Sequence, residues 1–424
     1  MIDQKLLKKI FRDMWRIDQR QYPRASVLTV AHDTDRSYLY EGKWYAPLID
    51  TIEDDLRARG ASCVSVARII SNIKGEKAYG TVVSPEGGFA RALIGKKLKG
   101  LLNSRRYPFS RQEYDIWRNI LEATGVRFAL AIQPSREMCS ACHELGVWVA
   151  DVQHGVIGQS HPWYGASFRH EDPPEQLPSA FLVWDQESAD VITNWSQGMG
   201  PTVHTIGNRW LSRFMHADPD DGLVTSAMER FVTASPSGPP KPSILVTLSW
   251  GSFNIPNGFV CDALCNVIRE TSSQFRWMLR LHPNQINGFA THEGERFPSF
   301  FERELRGHAD WKAATEAPLP AVLRETDLHV SWNSSSCIEA AKIGIRSAML
   351  DPELGEGKLW SGYYSSYKAD GIVELIDPEE TAIKSWLTKS FGAPKVAISL
   401  QSDDACYSQI IQQILDSTGY PSEQ

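Results

Sequence analysis

Short apolar segments alternate with amphipathic ones along most of the chain, and this alternation predicts its secondary structure. Apolar runs bounded by polar residues are typical of buried strands, whereas apolar positions that recur every three or four residues are typical of helices. The predicted strands are residues 26–31, 62–67, 127–132, 147–152, 181–185, 203–206, 244–248, 277–281, 328–332 and 345–350. The predicted helices are residues 47–59, 111–124, 136–145, 258–273 and 337–344. This order predicts an α/β fold with parallel, doubly wound sheets.

A change of composition divides the predicted elements into two groups. Between residues 217 and 242, acidic residues and a glycine precede the segment ASPSGPPKPS. Segments rich in proline, glycine and serine are typical of linkers, so we interpret residues 217–242 as one. The chain is therefore predicted to form two Rossmann-like domains facing a cleft, an N-terminal domain at residues 1–235 and a C-terminal domain at residues 236–424.

Composition and charge narrow the class of protein. Of the 424 residues, 42% are hydrophobic and 22% are charged, which is typical of globular proteins. A net charge of −7 argues against nucleic acid as a partner. The seven cysteines are scattered and odd in number, which favours a reducing compartment. The chain has no run of 18 apolar residues and no signal-peptide pattern, so we expect a cytoplasmic protein that is not integral to a membrane.

Three consecutive serines follow the predicted strand Leu328–Trp332 and open a predicted helix. Hydroxyl groups at such a turn lie beside unpaired backbone N–H groups and the positive end of the helix dipole, a place that attracts phosphate. The serines are Ser334, Ser335 and Ser336. Ser336 with Glu339 also fits the S-x-x-E capping box, which is a purely structural role. The turn alone therefore leaves both interpretations open.

A second motif favours the phosphate interpretation. The predicted strand at residues 277–281 ends at His282-Pro283, because proline has no N–H group for the strand ladder. In open α/β sheets, ligands bind at the carboxyl ends of the strands. His282 and the serines would then lie at the same sheet edge and face one crevice.

The end of one strand in the N-terminal half predicts a further site. There Gln153, His154 and Gly155 follow directly, and His161 and Tyr164 come soon after. Glycine lets the backbone approach a ligand closely, and histidine can act as a base near neutral pH. A single loop histidine could simply be hydrogen-bonded within its loop, but this concentration of polar and aromatic residues favours a site.

Two acidic residues follow the first predicted strand, in the segment HDTD. Asp33 and Asp35 have the DxD spacing that can bind a divalent metal together with a nucleotide sugar. They fit a turn-capping role equally well, because aspartate side chains readily accept hydrogen bonds from nearby backbone N–H groups.

Two basic stretches raise the question of a membrane surface. Residues 1–22 place Leu7, Phe11 and Trp15 on one helical face with lysines and arginines around them. Residues 91–111 carry seven lysines or arginines and no acidic residue, interleaved with leucines. Each stretch fits a helix packed on its own domain. Together they favour contact with an anionic membrane surface.

The order of these motifs is similar to that of a known group of enzymes. QHG, then GNRW, then RLHP, then the serine run resembles bacterial surface-polysaccharide glycosyltransferases of GT-B fold. The resemblance is to the cytidine-nucleotide users among them, namely sialic acid and Kdo transferases with HP and SS motifs, and teichoic-acid glycerophosphotransferases. It covers roughly residues 125–350 in short motifs.

The resemblance implies roles for particular residues. His282, Pro283 and the serines Ser334–Ser336 would hold the cytidine nucleotide, and Glu339 would bind its ribose. The donor would be a CMP-linked sugar such as CMP-Kdo or a related ulosonic acid. The acceptor would be a surface glycan or glycolipid.

Glycosyl transfer needs a stabilised leaving phosphate and an activated acceptor hydroxyl group. We expect His282 and Arg280 to assist the leaving group without a metal or another cofactor. His154 is the first candidate for the general base, with Asp33 and Asp35 as alternatives. Gln153, Gly155, His161 and Tyr164 would lie on the acceptor side, at the inner face of the membrane.

Three other functions remain open at this point. A CDP-alditol phosphotransferase of the teichoic-acid type would use the same nucleotide groove. A non-hydrolysing UDP-sugar epimerase would convert its sugar without any acceptor. A catalytically silent scaffold of a polysaccharide assembly complex would bind no nucleotide.

Overall fold

A computed structural model provides the structure of the chain. It describes residues 12, 14–15, 21–67, 73, 75–80, 82–102, 108–161, 163–165, 171–216, 218–234, 241–251, 255, 258–287, 290–393 and 401–418. The predicted amphipathic helix at residues 1–22 therefore lies outside the described residues, apart from Arg12, Met14, Trp15 and residues 21–22.

Strands and helices alternate through the described residues. The strands are β1 Val27–Ala31, β2 Tyr38–Tyr40, β3 Lys43–Tyr45, β4 Cys63–Ala67, β5 Val82–Val83, β6 Phe128–Ala131, β7 Trp148–Val152, β8 Ala180–Val183, β9 Thr202–Thr205, β10 Ser243–Thr247, β11 Arg276–Arg280, β12 Leu328–Ser331, β13 Arg346–Met349 and β14 Val373–Leu375. The helices are α1 Pro47–Ala58, α2 Glu86–Leu102, α3 Arg111–Thr124, α4 Arg136–Glu144, α5 Gln186–Ser196, α6 Arg209–Met215, α7 Gly222–Ala234, α8 Asp262–Thr271, α9 Pro283–Ile286, α10 Thr291–Glu304, α11 Lys312–Glu316, α12 Leu319–Arg324, α13 Ser336–Lys342, α14 Ser365–Ala369, α15 Glu380–Phe391 and α16 Gln401–Thr418. Each predicted strand is confirmed to within two residues at either end.

The chain forms two compact units. The first unit comprises Met1–His154, Pro162–Gly207 and Asp403–Gln424, and the second comprises Gly155–His161 and Asn208–Ser402. Both contain a parallel sheet with helices on its two faces. The predicted α/β class with two doubly wound sheets is confirmed.

The first unit is built on a seven-stranded sheet in the order β5-β4-β1-β6-β7-β8-β9, with every neighbouring pair parallel. Successive side chains of a strand point to opposite faces, and β1 shows this directly. Val27 packs in the cluster that includes α1 and α16, whereas Leu28 and Val30 pack in the cluster that includes α3 and α4. The sheet is therefore buried on both faces.

The second unit has a five-stranded parallel sheet in the order β11-β10-β12-β13-β14. In β10, Ile244 and Val246 pack with residues of α8, α10 and α15. Leu245 faces the other way and packs with residues of α7, α11, α12 and α13. This sheet is likewise buried on both faces.

The interpretation of residues 217–242 as a linker is wrong for half of that segment, because Gly222–Ala234 is the helix α7. Leu223, Val224, Ala227 and Phe231 form its buried face. The predicted domains end and begin at residue 235, whereas residues 208–234 belong to the second unit and residues 403–424 to the first. The physical reason is packing: Phe231 joins the core of the second unit, and the isoleucines of α16 join that of the first.

The basic stretch at residues 91–111 begins on α2, and its charges differ in their surroundings. Lys96 forms ion pairs with Glu113 at 2.7 Å and with Glu137 at 2.8 Å. Lys97 and Lys99 are exposed, and Leu98 between them is also exposed. Among the described residues, no helix is both long enough and apolar enough to span a bilayer.

Candidate functional site

The strand order of each sheet marks one position at its carboxyl edge. In the second unit, β10 is followed by β11 on one side and by β12 on the other, so the order reverses between β10 and β12. Ligands of open α/β sheets bind at such a switch point, outside the carboxyl ends of the strands. The residues that follow these strands are Ser249-Trp250-Gly251 and the serine turn, by which we mean Ser334–Ser336.

The three serines of the turn have different surroundings. The Ser336 side chain is buried, and its Oγ lies 2.8 Å from Thr247 Oγ1 and 3.2 Å from His329 Nε2. Ser334 is half-buried, and its Oγ accepts hydrogen bonds from the Ser336 hydroxyl at 2.9 Å and from the Ser336 N–H at 3.3 Å. Ser335 is also half-buried and caps α13 without a side-chain hydrogen bond. Ser334 and Ser335 are thus the two accessible hydroxyl groups of the turn.

His282 follows β11, the neighbour of β10, and its ring is held in one orientation. Its Nδ1 accepts a hydrogen bond from the Asn284 N–H at 3.0 Å, so a neutral ring carries its proton on Nε2. The His282 N–H group donates to Gln285 Oε1 at 2.9 Å. Pro283 occupies the first position of α9, and the Trp250 ring lies 6.0 Å from the imidazole. The predicted pair, His282 and the serine turn, therefore stands at one sheet edge on either side of β10.

Glu339 is an acidic residue of the same edge. It is buried on α13, and its Oε1 accepts a hydrogen bond from Asn208 Nδ2 at 3.2 Å. Burial raises the pKa of Glu339 to about 7, while Arg280 and the Asn208 hydrogen bond act in the opposite direction. Asn208 also caps α6 through Leu211 N–H at 3.1 Å. The GNRW motif is thereby connected to the serine helix, a link that sequence reasoning missed.

Arg280 is partly buried and has backbone partners. Its Nη1 donates to the carbonyl groups of Ala314 and of Ala317, the latter at 2.6 Å. Burial lowers the pKa of the guanidinium to about 10, and the negative charge of Glu339 opposes this shift. The hydrogen bonds of Arg280 therefore stabilise the fold. Its contribution to the edge is the positive charge that it places near Glu339.

In the first unit the strand order reverses between β1 and β6, so the segment after β1 lies at the switch point. That segment contains HDTD, in which Asp33–Asp35 forms one turn of 3₁₀ helix. Asp35 Oδ2 accepts the His32 N–H at 2.7 Å, and Asp35 Oδ1 lies 3.4 Å from His154 Nε2. His154, the first candidate for the general base, is thus in contact with Asp35, one of the two alternatives.

The two partners of this contact differ in exposure. The His154 side chain is 39% exposed, whereas that of Asp35 is 5% exposed. Asp33 is buried on the same turn. The turn continues into Arg36, which is fully buried and pairs with Asp50 at 3.3 Å and Ser65 Oγ at 3.1 Å. Arg36 therefore anchors the segment that carries Asp35.

The neighbours of His154 have supporting roles. Gln153 is buried: its Oε1 accepts the Trp184 N–H at 2.6 Å, and its Nε2 donates to Ser188 Oγ at 3.2 Å. Tyr164 is also buried, and its hydroxyl group accepts the His154 N–H at 3.2 Å. These contacts fix the backbone on which the half-exposed imidazole is carried.

The loop Gly155–His161 belongs to the second unit, and it contains one glycine favoured by its backbone conformation and another required by a neighbouring side chain. Gly155 has φ +84°, and a Cβ there would lie 3.8 Å from Ser335 Oγ. A Cβ on Gly158 would lie 2.2 Å from the Tyr363 ring, which no side chain could tolerate. The His161 N–H donates to the Gly158 carbonyl at 2.9 Å. Gly155 is therefore next to the serine turn, and His161 closes a turn of this loop.

A metal would need a cluster of suitable ligands. Within the ranges described above, no three histidine, cysteine, aspartate or glutamate side chains are grouped as a metal site. Asp33 and Asp35, with His154 in contact with Asp35, therefore do not form a metal site of this kind within those ranges.

Comparisons with known proteins identify the fold. No protein-family model and no curated protein sequence matches the chain. Among solved structures, it is similar to UDP-GlcNAc 2-epimerase from Methanocaldococcus jannaschii, with 9% identity, a TM-score of 0.53, and coverage of 91% of this chain and 99% of that one. For the Neisseria meningitidis UDP-GlcNAc 2-epimerase bound to UDP-GlcNAc the identity is 14%, the TM-score 0.53 and the coverage 92% and 99%.

A third similar structure is that of the wall teichoic acid polymerase TagF. Here the identity is 10%, the TM-score 0.54, and the coverage 98% of this chain and 93% of that one. At such low identity the likeness concerns the fold, and it extends over nearly the whole chain. Together with the two doubly wound parallel sheets, these similarities show that the chain has the GT-B fold.

Proposed function

We propose that this protein is a glycosyltransferase that moves a sugar from a nucleotide donor to a surface glycan or glycolipid. The donor is a CMP-linked sugar, such as CMP-Kdo or a related ulosonic acid. The observation that carries the proposal is the switch-point edge of the second unit, where His282 follows β11 and the serine turn and Glu339 follow β12, on either side of β10. This edge is where an open α/β sheet binds its ligand.

Each part of this edge has a task in holding the donor. The hydroxyl groups of Ser334 and Ser335 donate hydrogen bonds to phosphate oxygens, and the Nε2–H of His282 supplies a further donor. Glu339, as a carboxylate, accepts hydrogen bonds from the ribose hydroxyl groups. The Arg280 charge favours that ionised form. Support comes from the geometry of this edge, in which His282, Ser334 and Glu339 are already oriented by hydrogen bonds to their neighbours.

The first unit supplies the base for the transfer. His154 Nε2 takes the proton of the acceptor hydroxyl group as its oxygen attacks the anomeric carbon of the donor sugar. The bond from that carbon to the phosphate oxygen breaks, and its electron pair leaves with the nucleotide. Asp35, 3.4 Å from His154 Nε2, stabilises the imidazolium that forms.

A second candidate function is transfer of a phosphoryl-alditol from a CDP-alditol. The similarity to a wall teichoic acid polymerase favours it, and one structure of that enzyme comes from a soak with CDPG. The same edge would hold the nucleotide, and His154 would again take the proton of an acceptor hydroxyl group. Activity with CDP-glycerol distinguishes this function from sugar transfer.

The similarity to UDP-GlcNAc 2-epimerases favours a third candidate, a UDP-sugar epimerase. An epimerase needs no acceptor, so conversion of a UDP-sugar by the purified protein alone would identify it. The glycosyltransferase proposal requires an acceptor for any turnover apart from slow hydrolysis.

We also propose that the protein contacts an anionic membrane surface at the cytoplasmic face, where glycolipid acceptors are found. Lys97 and Lys99 are exposed on α2 on either side of Leu98, which is 59% exposed. Trp15 is 84% exposed, and the Arg91 guanidinium donates to the Met14 carbonyl at 2.8 Å. Exposed cations with apolar side chains between them are suited to acidic headgroups.

A thermal-shift panel of CMP, CDP, UDP and GDP tests the proposal, because a ligand that binds the folded state raises the melting temperature. We expect CMP or CDP to give the largest shift in the wild-type protein. The matched variants are Ser334→Ala, which should reduce that shift, and Ser299→Ala, an exposed serine on α10 that should not. Absence of a shift with all four nucleotides would contradict nucleotide binding and favour a silent scaffold.

A further inference from the structure

A chain of hydrogen bonds runs from the interior of the second sheet to the serine turn. Ser347 Oγ lies 2.9 Å from His329 Nδ1, and His329 Nε2 lies 2.8 Å from Thr247 Oγ1. Thr247 Oγ1 lies 2.8 Å from Ser336 Oγ, which donates to Ser334 Oγ at 2.9 Å. Of the five side chains connected by these hydrogen bonds, the first four are buried and Ser334 is half-buried.

His329 is neutral, so one of its ring nitrogens donates and the other accepts. Burial lowers the pKa of the imidazole to about 3. The Ser347 hydroxyl is fully buried, and within the described structure its hydrogen-bond partner is His329 Nδ1. A buried hydroxyl hydrogen without an acceptor is costly, so Ser347 donates to Nδ1 and the proton of the ring is on Nε2.

This tautomer sets the direction of the remaining hydrogen bonds. His329 Nε2–H donates to Thr247 Oγ1, the Thr247 hydroxyl donates to Ser336 Oγ, and the Ser336 hydroxyl donates to Ser334 Oγ. Ser334 Oγ also accepts the Ser336 N–H at 3.3 Å, so both of its lone pairs are occupied. Its own hydrogen is then directed away from the turn. A hydroxyl group in this state is a donor and not an acceptor.

We propose that His329 is a positioning residue that directs the Ser334 hydroxyl to donate a hydrogen bond to a phosphate oxygen of the nucleotide. The inference rests on the proposed function for the identity of the ligand. It goes beyond that function because His329 lies on β12, before the turn, and its ring is connected to Ser334 through Ser336, both directly at 3.2 Å and by way of Thr247. A donor fixed in advance favours an anionic oxygen over a cation or a ligand N–H group.

The tautomer is tested directly in the wild-type protein. Long-range ¹⁵N–¹H correlation spectra of protein labelled at histidine distinguish a ring protonated on Nε2 from one protonated on Nδ1. His329→Gln identifies the resonances by their loss. A neutral ring with its proton on Nε2 is the expected result at pH 7. A proton on Nδ1, or on both nitrogens, would reverse or break the chain and overturn the proposal.

The effect on the ligand is tested by the affinity for CDP and for cytidine, which lacks phosphate. His329→Leu should weaken CDP binding roughly 5-fold to 30-fold, about the value of one hydrogen bond, and leave cytidine binding unchanged. His329→Gln keeps a nitrogen donor near the Nε2 position and should restore most of the affinity. Combining His329→Leu with Ser334→Ala should cost little more than Ser334→Ala alone, because both changes remove the same donor.

Other outcomes would contradict the proposal. Equal losses for CDP and cytidine would show that His329 supports the fold of the unit in general, and additive losses in the double variant would separate His329 from Ser334. If His329→Leu fails to fold, Ser347→Ala is the second variant, because it removes the buried end of the hydrogen-bond chain. Ser347→Ala should weaken CDP binding by a smaller factor than the one expected for His329→Leu. Unchanged CDP binding in Ser347→Ala would overturn the proposal. If the wild-type protein binds no nucleotide, the proposed function fails, and the spectra still decide the direction of the chain.

Discussion

The two sheet edges of this protein differ in how their polar groups are held. At the edge of the second unit, Ser336, His329 and Glu339 are buried and hydrogen-bonded to neighbours at 2.8–3.2 Å. At the edge of the first unit, His154 is 39% exposed and is connected to Asp35 by a 3.4 Å contact. The polar side chains of the second edge are held by several short hydrogen bonds, whereas the His154 imidazole of the first edge is held by a longer contact.

This difference corresponds to two kinds of chemical work. Binding of a phosphate gains from donors that are oriented before the ligand arrives, because no rotational freedom is lost on binding. A general base must instead receive a proton, reorient and release the proton to solvent, which requires access to water. We therefore propose that the second unit binds the donor and that the first unit transfers the proton, and the following predictions test that division.

The largest effect is expected at His154. His154→Ala should lower the transfer rate by about 10²–10⁴-fold, the usual range for a lost general base, while the affinity for CMP stays within about 2-fold. Initial rates with a CMP-sugar donor and calorimetric titration with CMP measure the two quantities. His204→Ala is the matched control, because His204 is a partly buried imidazole of the same unit that bonds to Thr202 at 2.9 Å. Equal rates in the two variants would remove His154 as the base.

A smaller loss is expected at Asp35. Asp35→Asn keeps the shape of the turn but removes the charge beside His154, so the rate should fall roughly 10-fold to 100-fold, since a partner charge supports the base without replacing it. Asp33→Asn is the comparison on the same turn and should cost less. A larger loss at Asp33 than at Asp35 would reassign the acidic partner.

At the second edge, Glu339 should make nucleotide affinity depend on pH. Burial raises the pKa of Glu339 to about 7, so its carboxylate form decreases as the pH falls through that value. If the carboxylate accepts the ribose hydroxyl groups, CMP affinity should be highest above pH 7 and fall by roughly 10-fold per lost charge-assisted bond toward pH 5.5. Glu339→Gln should bind CMP weakly at pH 8 and show little change between these values. A wild-type affinity that is constant from pH 5.5 to pH 8 would argue against ribose contact.

The smallest effect concerns the membrane. Co-sedimentation with vesicles that contain anionic lipid should be partial at low ionic strength and fall as salt is added, because the exposed lysines of α2 act through screened charge. Lys97→Glu should weaken it by about 1–2 kcal/mol, the value of one or two charges near such a surface. Lys96→Glu is less suitable, since Lys96 is paired with Glu113 and Glu137. No sedimentation at low salt would contradict the membrane proposal.

Much of the fold could be predicted from the sequence, because the buried strands are continuous apolar runs. The helix α7 was missed: the Ser-Pro-Gly segment after it dominated the composition, although Leu223, Val224, Ala227 and Phe231 already have helical spacing. Residues 403–424 belong to the first unit because of contacts between segments that are far apart in the sequence. No local pattern encodes such contacts.

The motifs of the candidate site could be predicted from the sequence, but the contacts between their side chains could not. His154 and Asp35 were both recognised, yet their contact depends on the order β1-β6-β7 in the sheet, which the sequence does not state. His329 appeared as one polar residue within an apolar strand. Its importance emerged once the register placed Ser347 directly beside it on β13 and Thr247 two positions beyond its partner Leu245 on β10.

Calorimetric titration of CMP and CDP into the wild-type protein, Ser334→Ala and His154→Ala tests the central claim most directly. We predict that the wild-type protein binds at least one of the two nucleotides, that Ser334→Ala weakens this binding roughly 10-fold or more, and that His154→Ala leaves it nearly unchanged. Equal weakening in both variants would contradict the division between the two edges. Failure of the wild-type protein to bind either nucleotide would contradict the assignment of the second unit as the donor site.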